Sequence, residues 1–317
     1  MNTRSLGRTG LRVSEIGFGT WGLGGTAYGP TDDRESLRAL QHALERGVTF
    51  YDTADLYGDG RSESLLGRAF ASARDRVVIA TKAGFVSARG AQDFSPSHLQ
   101  NALTGSLRRL QTDYVDVFLL HNPPITLLEQ QPEVIRLLEN LQREGRIRAW
   151  GVSVRSPSDG LIAITRFDVP LIEVNFNLAD QRARQNGLLD LCARRQIGCI
   201  IRTPLCFGFL TGQYTTNTAL AANDHRRRWS FEQRQRWAEG GRLFSAAIAS
   251  IAGQTPAQIA LRFCLSYAGV SSVIPGMLTA AHVDENAAAS SLGPLTAQER
   301  QRMEELYEQH CFFVGER

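Results

Sequence analysis

No apolar run in this chain approaches the roughly 20 residues needed to cross a bilayer. Its 35 Lys and Arg face 32 Asp and Glu, a net charge of +3, too balanced to draw the chain to nucleic acid or an anionic membrane on charge alone. The five cysteines include no C-x-x-C. Cys192, Cys199 and Cys206 are evenly spaced but fall on an expected helix, strand and loop, so reduced thiols packed as small hydrophobes are the better reading. Neither H-x-H nor H-E-x-x-H occurs, so no metal site is expected. The first residues, MNTRSLGRTGLRV, lack the apolar stretch of a signal peptide, and the expected location is the cytoplasm.

What the chain has is a hydrophobic content of 43% over 317 residues, enough for a large core, and a regular alternation. β-prone runs at Val13–Phe18, Val48–Asp52, Val77–Thr81, Tyr114–Leu120, Ile147–Val152, Leu171–Phe176, Gly198–Arg202 and Ser272–Pro275 are separated by amphipathic segments such as Asp33–Arg46, Ser62–Arg74, Pro96–Leu110, Leu127–Glu144, Gly187–Arg195, Pro256–Tyr267 and Ala280–Ser291. Eight strands interleaved with helices, with no proline-rich linker, predict an α/β fold of one domain over residues 1–317, a (β/α)8 TIM barrel. Arg4–Leu11, with Gly7 and Gly10, predicts a β-hairpin before the barrel. Thr296–Gln309 predicts an extra C-terminal helix with a Thr296/Glu299 capping box. The longest irregular insertion, from about Leu205 to Gly240, is expected on the active face.

SEIGFGTWG contains G-x-G-x-x-G at Gly17, Gly19 and Gly22, the spacing of a dinucleotide-binding turn. That motif needs a helix to start on it. Here LGGTAYGP follows, which predicts a broad loop, with the first helix starting near Thr31 or Asp32. The glycines therefore mark the end of a first barrel strand and not a Rossmann turn.

Polar residues gather at the ends of consecutive strands. YDTADLYG supplies Asp52 and Tyr57, ATKAG supplies Lys82, and VFLLHNPP supplies His121. Singly, each has an ordinary structural explanation: a capping aspartate, a snorkelling lysine, a satisfied histidine. Together on one barrel mouth they make a proton-donating site. A tyrosine with an ordinary pKa of about 10 is a poor acid; an ammonium beside it lowers that value, and a carboxylate fixes the ammonium. A histidine can then donate to a substrate oxygen.

LGRTGLRVSEIGFGTWGLGG, FYDTADLYGDGRSESLLG, ATKAG, DYVDVFLLHNPP, GVSVRSP, VNFNLADQR, TPLCFGFLTGQY and SVIPGMLTAAHVDEN, in that order, give nearly the whole chain a resemblance to the aldo-keto reductase superfamily. It is most similar to the branch of bacterial general aldo-keto reductases and channel-associated β subunits. The resemblance implies an NAD(P)-dependent oxidoreductase acting on CH–OH and C=O groups, with Tyr57 as general acid/base, Asp52 and Lys82 tuning it, and His121 orienting a small-molecule carbonyl substrate. It implies NADPH or NADH as cofactor. Gly19, Thr20, Trp21 and Asp52 are expected at the nicotinamide end, with Ser153 and Glu173 at its carboxamide. Arg202, Thr203, Pro204, Leu205, Gly208, Leu210 and Gly212 are expected along ribose and pyrophosphate. Pro275, Gly276, Met277, Leu278, His282, Glu285 and Asn286 are expected at the adenosine. Trp21, Tyr28 and Phe85 either stack on substrate or pack beneath the loop.

Three departures from the family pattern involve four positions. Val154 stands where an Asn is frequent, Glu173 where a Gln is common, and Leu278 and His282 where arginines often hold the 2′-phosphate. Leucine donates no hydrogen bond and a neutral histidine is a poor phosphate partner, so NADH use is a real option. The first two changes either weaken cofactor binding or tune the site toward a retained cofactor or a specialised reaction. Two alternatives stand beside the reductase: a cofactor-binding regulatory subunit with little turnover, or a sugar or natural-product pathway enzyme using the same tetrad for oxidation, dehydration or epimerisation. The basic run His225-Arg226-Arg227-Arg228-Trp229, with Arg234, Arg236 and Trp237, is read as a loop closing over the site or meeting a phosphate or acidic substrate, more economically than as a nucleic-acid surface.

Overall fold

The computed structural model describes residues 1–87, 90–215, 218–247 and 253–315. Two hairpin strands, β1 (Thr3–Ser5) and β2 (Arg12–Ser14), pair antiparallel. Eight parallel strands follow: β3 (Phe18–Gly19), β4 (Phe50–Asp52), β5 (Val78–Ala83), β6 (Val115–His121), β7 (Ile147–Ser153), β8 (Leu171–Asn175), β9 (Gly198–Arg202) and β10 (Ser272–Val273). They lie side by side in chain order. Parallel bridges Ile16↔Val273 and Gly19↔Gly276 join the last strand to the first, closing the sheet into a (β/α)8 barrel.

The helices are α1 (Asp33–Glu45), α2 (Arg61–Phe70), α3 (Pro96–Leu110), α4 (Leu127–Gln130), α5 (Pro132–Arg143), α6 (Pro157–Phe167), α7 (Arg182–Gln185), α8 (Leu188–Arg195), α9 (Phe231–Ala247), α10 (Pro256–Leu265), α11 (Ala280–Leu292) and α12 (Ala297–Gln309). Proline opens α3, α5, α6 and α10, where its missing N–H costs no helical bond. Reciprocal capping boxes start α10 at Thr255/Gln258 and α12 at Thr296/Glu299. No helix among the described residues is long and apolar enough to cross a membrane.

Leu6, Leu11 and Val13 of the hairpin pack with the inward residues Phe50, Ala80, Val117, Leu119, Ala149, Leu171, Ile200 and Ile274, so the hairpin plugs the barrel floor. The residues between them in sequence, such as Phe18, Tyr51, Ile79, Phe118, Leu120 and Ile172, pack outward against the helices.

Several elements differ from expectation. The run Val13–Phe18 is split: its start belongs to the hairpin, and the barrel strand is only Phe18–Gly19. The Ser14 amide donates to the Thr49 hydroxyl and the Ser14 hydroxyl to the Ile16 carbonyl instead of continuing a ladder. Leu127–Glu144 is two helices, because Pro132 starts a new one. The insertion after Leu205 is not irregular throughout. It holds 3-10 turns at Cys206–Thr211 and His225–Arg228, and the 17-residue α9. The loop after Gly19 also carries a 3-10 turn, Trp21–Gly24, although α1 waits for its Asp32 cap.

That turn presses on the loop after β4. A Cβ on Gly24 would lie 2.7 Å from the amide N of Gly58, and a Cβ on Gly58, whose φ is +62°, would collide with the carbonyl of Gly24. Gly58→Ala therefore meets both a left-handed backbone and a backbone collision. It is expected to lower unfolding free energy by about 2 kcal/mol or more, read from urea denaturation; unchanged stability would show that the loops do not press together.

Candidate active site

The period of two along each strand decides what the barrel mouth is made of. Phe50 faces inward on β4, and Asp52 follows two residues later. In the same way Ala80 leads to Lys82, Leu119 to His121, Leu171 to Glu173, and Ile200 to Arg202. Each inward row is apolar at the barrel centre and polar at its C-terminal end. Tyr57 stands on the loop after β4, with Lys82 Nζ 5.2 Å from its ring centre.

Lys82 is fully buried. Its ammonium donates to Asp52 Oδ1 and Oδ2, both at 2.6 Å, and to the Thr53 carbonyl at 2.9 Å. It also lies 3.3 Å from Glu173 Oε2, outside hydrogen-bond alignment. Arg202 Nε is 3.8 Å from Glu173 Oε1. The Ser153 hydroxyl stands 3.1 Å from both Glu173 Oε1 and Asn122 Oδ1; its single proton serves one of them at a time.

These neighbours set the charges. Burial works against the Lys82 ammonium, but Asp52 and Glu173 outweigh it and hold the lysine above its ordinary range. Burial, reinforced by Glu173, raises Asp52 against the pull of Lys82. The Tyr57 phenol is pushed up to about 12 by burial, with Lys82 opposing and Asp52 and Glu173 reinforcing. The expected lowering by the ammonium is thus present but outweighed, because a buried phenolate loses its hydration. Burial, then Lys82 and Arg202, hold His121 well below its usual value, so the imidazole is neutral and keeps one N–H.

Above this floor runs a cavity of about 650 Å³. Gly19, Trp21, Asp52, Tyr57, His121 and Glu173 border it; Arg202, Thr203, Pro204, Leu205 and Gly208 add to its wall, as do Pro275, Gly276, Leu278, His282, Glu285 and Asn286, with Gly276 bridged to Gly19 across the barrel seam. His282, Glu285 and Asn286 share one face of α11 by helical spacing. Trp21, Tyr28 and Phe85 also line the cavity while packing together: Trp21 meets Tyr28 edge-on at 5.8 Å, and Phe85 meets His121 at 4.8 Å. Thr20, Lys82, Ser153, Leu210, Gly212 and Met277 stand behind the wall. Thr20 bonds to the Asp52 carbonyl, and Met277 is wholly in the core.

The insertion roofs the cavity. The His225 amide and Nδ1 both bond to the Ala27 carbonyl, at 2.9 and 2.8 Å. Arg226 is clamped by Asp224 at 2.6 Å and stacks over Tyr28 and Tyr214. Arg228 lines the cavity and is exposed.

Sequence reasoning did not name Asn122, Phe207 or Tyr214, which also line the wall. Asn122, Thr203 and Phe207 have φ of 52–57°, a conformation uncommon outside glycine that concentrates at functional sites. The amide after LLH was a legible polar group; the handedness that turns it toward Ser153 was not.

The residues present fit an extended dinucleotide. His121 Nδ1, Glu173 Oε2, Arg202 Nε and Asn286 Oδ1 are buried without a hydrogen-bond partner, and all four residues belong to the lining of this cavity. A Cβ on Gly276 would meet nothing within 4 Å, leaving the backbone there open to a ligand. Among the described residues no His/Cys/Asp/Glu group could hold a metal ion.

The aldo/keto reductase family model matches residues 15–308. The chain is 35% identical over 234 residues to aldo-keto reductase YhdN of Bacillus subtilis (strain 168), covering 71% of this chain and 69% of that protein. It is 31% identical to a probable voltage-gated potassium channel subunit beta of Oryza sativa subsp. japonica, covering 94% of each. The solved structure of aldo-keto reductase AKR11C1 from Bacillus halodurans (holo form) superposes with a TM-score of 0.78 at 29% identity, over 98% of this chain and 99% of that one.

Asp55, two residues before Tyr57, has a buried Oδ1 without a partner. Burial and the nearby Glu63 raise its carboxyl to about 7. Between the ordinary carboxylate range and pH 7 the folded chain holds this proton and the unfolded chain does not. Stability therefore falls as pH rises through that window, by up to about 1.4 kcal/mol per pH unit for one proton. Urea titrations from pH 4 to 8 should show a shallower fall in Asp55→Asn; parallel curves would refute the assignment.

Proposed function

The chain belongs to the aldo/keto reductase family, and from the site it carries we propose that it is an oxidoreductase moving a hydride between a nicotinamide dinucleotide and a small carbonyl or alcohol. The observation that carries the reading is the buried Lys82–Asp52 pair beside Tyr57 and His121 on the floor of the cavity. When bound, the dinucleotide supplies or accepts the hydride. The neutral His121 donates a hydrogen bond to the substrate oxygen and fixes its place. Tyr57, protonated at neutral pH, gives its phenolic proton to that oxygen as negative charge develops there, and takes it back in the alcohol-to-carbonyl direction. Lys82, held by Asp52, stabilises the phenolate left behind. Trp21, Tyr28 and Phe85 exclude water from the reacting carbon.

At the carboxamide, Glu173 and Asn122 offer a carboxylate and an amide from the wall, with the Ser153 hydroxyl within reach of both from behind it; Asn122 supplies the group that Val154 cannot. At the adenosine, Leu278 and His282 line the wall, His282 Nδ1 accepts from the Leu278 amide, and Arg228 is an exposed cation elsewhere in the lining of the same cavity. This supports use of NADH alongside NADPH. The complete tetrad favours turnover over a purely regulatory role.

Tyr57→Phe is expected to lower kcat by about 10²–10⁴-fold while still quenching with reduced cofactor in a fluorescence titration; near-parental turnover sinks the mechanism. In the same titration NADH and NADPH should bind the parent within about tenfold of one another, a difference under 1.4 kcal/mol. A preference for NADPH of a hundredfold or more would show that another cation holds the 2′-phosphate.

A further inference from the structure

The charges facing the proposed nicotinamide end can be counted. Two cations meet two carboxylates at its floor: Lys82 pairs with Asp52 and Glu173, and Arg202 reaches Glu173 from the neighbouring wall. His121 and Tyr57, the remaining titratable groups on that floor, are neutral. Both Asp52 oxygens accept from the Lys82 ammonium, the arrangement of an ionised carboxylate. Asp52 is thereby committed to Lys82, whereas Glu173 has a hydrogen-bond donor on Oε1 alone, the Ser153 hydroxyl that it shares with Asn122. Its Oε2 is buried without a hydrogen-bond partner, as is the Nε of Arg202. It meets Lys82 and Arg202 only at ion-pair distances of 3.3 and 3.8 Å, and its side chain lines the cavity. An uncharged residue of the same shape at position 173 would leave one uncompensated positive charge on the floor.

A nicotinamide ring is cationic when oxidised and neutral when reduced. A floor with an excess cation repels the first form and leaves the second unaffected; a balanced floor does not. In a buried site such charge differences act at low effective dielectric and are large. We infer that Glu173 is a specificity-determining residue for the redox state of the cofactor, its carboxylate favouring the oxidised form and so biasing the bound couple toward carbonyl reduction. The inference rests on the proposed dinucleotide site. It needs no new reactant: the hydride passes to the carbonyl carbon, the proton from Tyr57 to its oxygen, and Glu173 is unchanged throughout.

The test is equilibrium binding by calorimetry to the full chain, with NADP⁺, NADPH, NAD⁺ and NADH, in the parent, Glu173→Gln and Arg202→Gln. Circular dichroism confirms that each variant is folded. The readout is the ratio of Kd for the oxidised to the reduced form of one dinucleotide. Glu173→Gln should raise that ratio by about tenfold or more, the size of a 1.4 kcal/mol differential interaction. Arg202→Gln, which removes a cation, should lower it. A ratio unchanged in folded Glu173→Gln, or shifted in the same direction by both variants, overturns the inference while leaving the dinucleotide site standing. Failure of the parent to bind any of the four overturns both.

Discussion

A lysine ammonium with no access to water exists only where anions meet it, and that requirement organises this protein's active face. Lys82 on β5 is met from β4 by Asp52 and from β8 by Glu173, so three strands that are not all neighbours are tied through one nitrogen. The backbone contributes as well: Lys82 also donates to the carbonyl of Thr53, where the chain turns out of β4 toward Tyr57. The position of the tyrosine ring above the ammonium follows from this anchoring and from the glycine loops packed beside it. Remove the ammonium and Asp52 would lose its buried cation, while Glu173 would keep only the Arg202 contact at 3.8 Å.

The barrel and the tetrad were legible because both follow short-range rules. Period-two alternation and capping signals marked strands and helices, and polar residues ending otherwise apolar strands marked the mouth. Where distant segments decide, the sequence was less informative. Val13–Phe18 reads as one strand, yet its first residues pair with Thr3–Ser5, a partner choice that no local pattern records. The insertion after Leu205 reads as irregular because α9 has a weak apolar face and two adjacent glycines, Gly240 and Gly241, that serve close packing against Phe312 and the Phe209 carbonyl. The sign of the Tyr57 shift was equally hidden. The ammonium could be named from sequence, but the degree of burial that outweighs it could not.

The glycine-rich GFGTWG shows how a motif can point to a plausible ligand class by a different structural route. Gly19 is the end of a two-residue barrel strand, and a Cβ there would lie 2.8 Å from the Ile274 carbonyl. Its lack of a side chain lets the first strand approach the last. Trp21 follows at once and lines the cavity, held edge-on by His225 at 4.4 Å. The same short stretch therefore closes the barrel and presents a wall, with no helix terminus involved in either task.

That closure has a consequence for folding. The seam between the first and last strands joins residues more than two hundred positions apart, through isolated bridges at Ile16↔Val273 and Gly19↔Gly276 and not through a long ladder. Closing so large a loop costs chain entropy, offset there by backbone bonds from Gly17 to Val273, from Val273 to Glu15 and from Gly19 to Pro275. Gly19 and Gly276 both border the cavity, one on each side of the seam. A molecule filling that cavity touches both edges at once and acts as a clasp. Its binding free energy is therefore also ring-closing free energy, and it stabilises the complete barrel against opening along this seam.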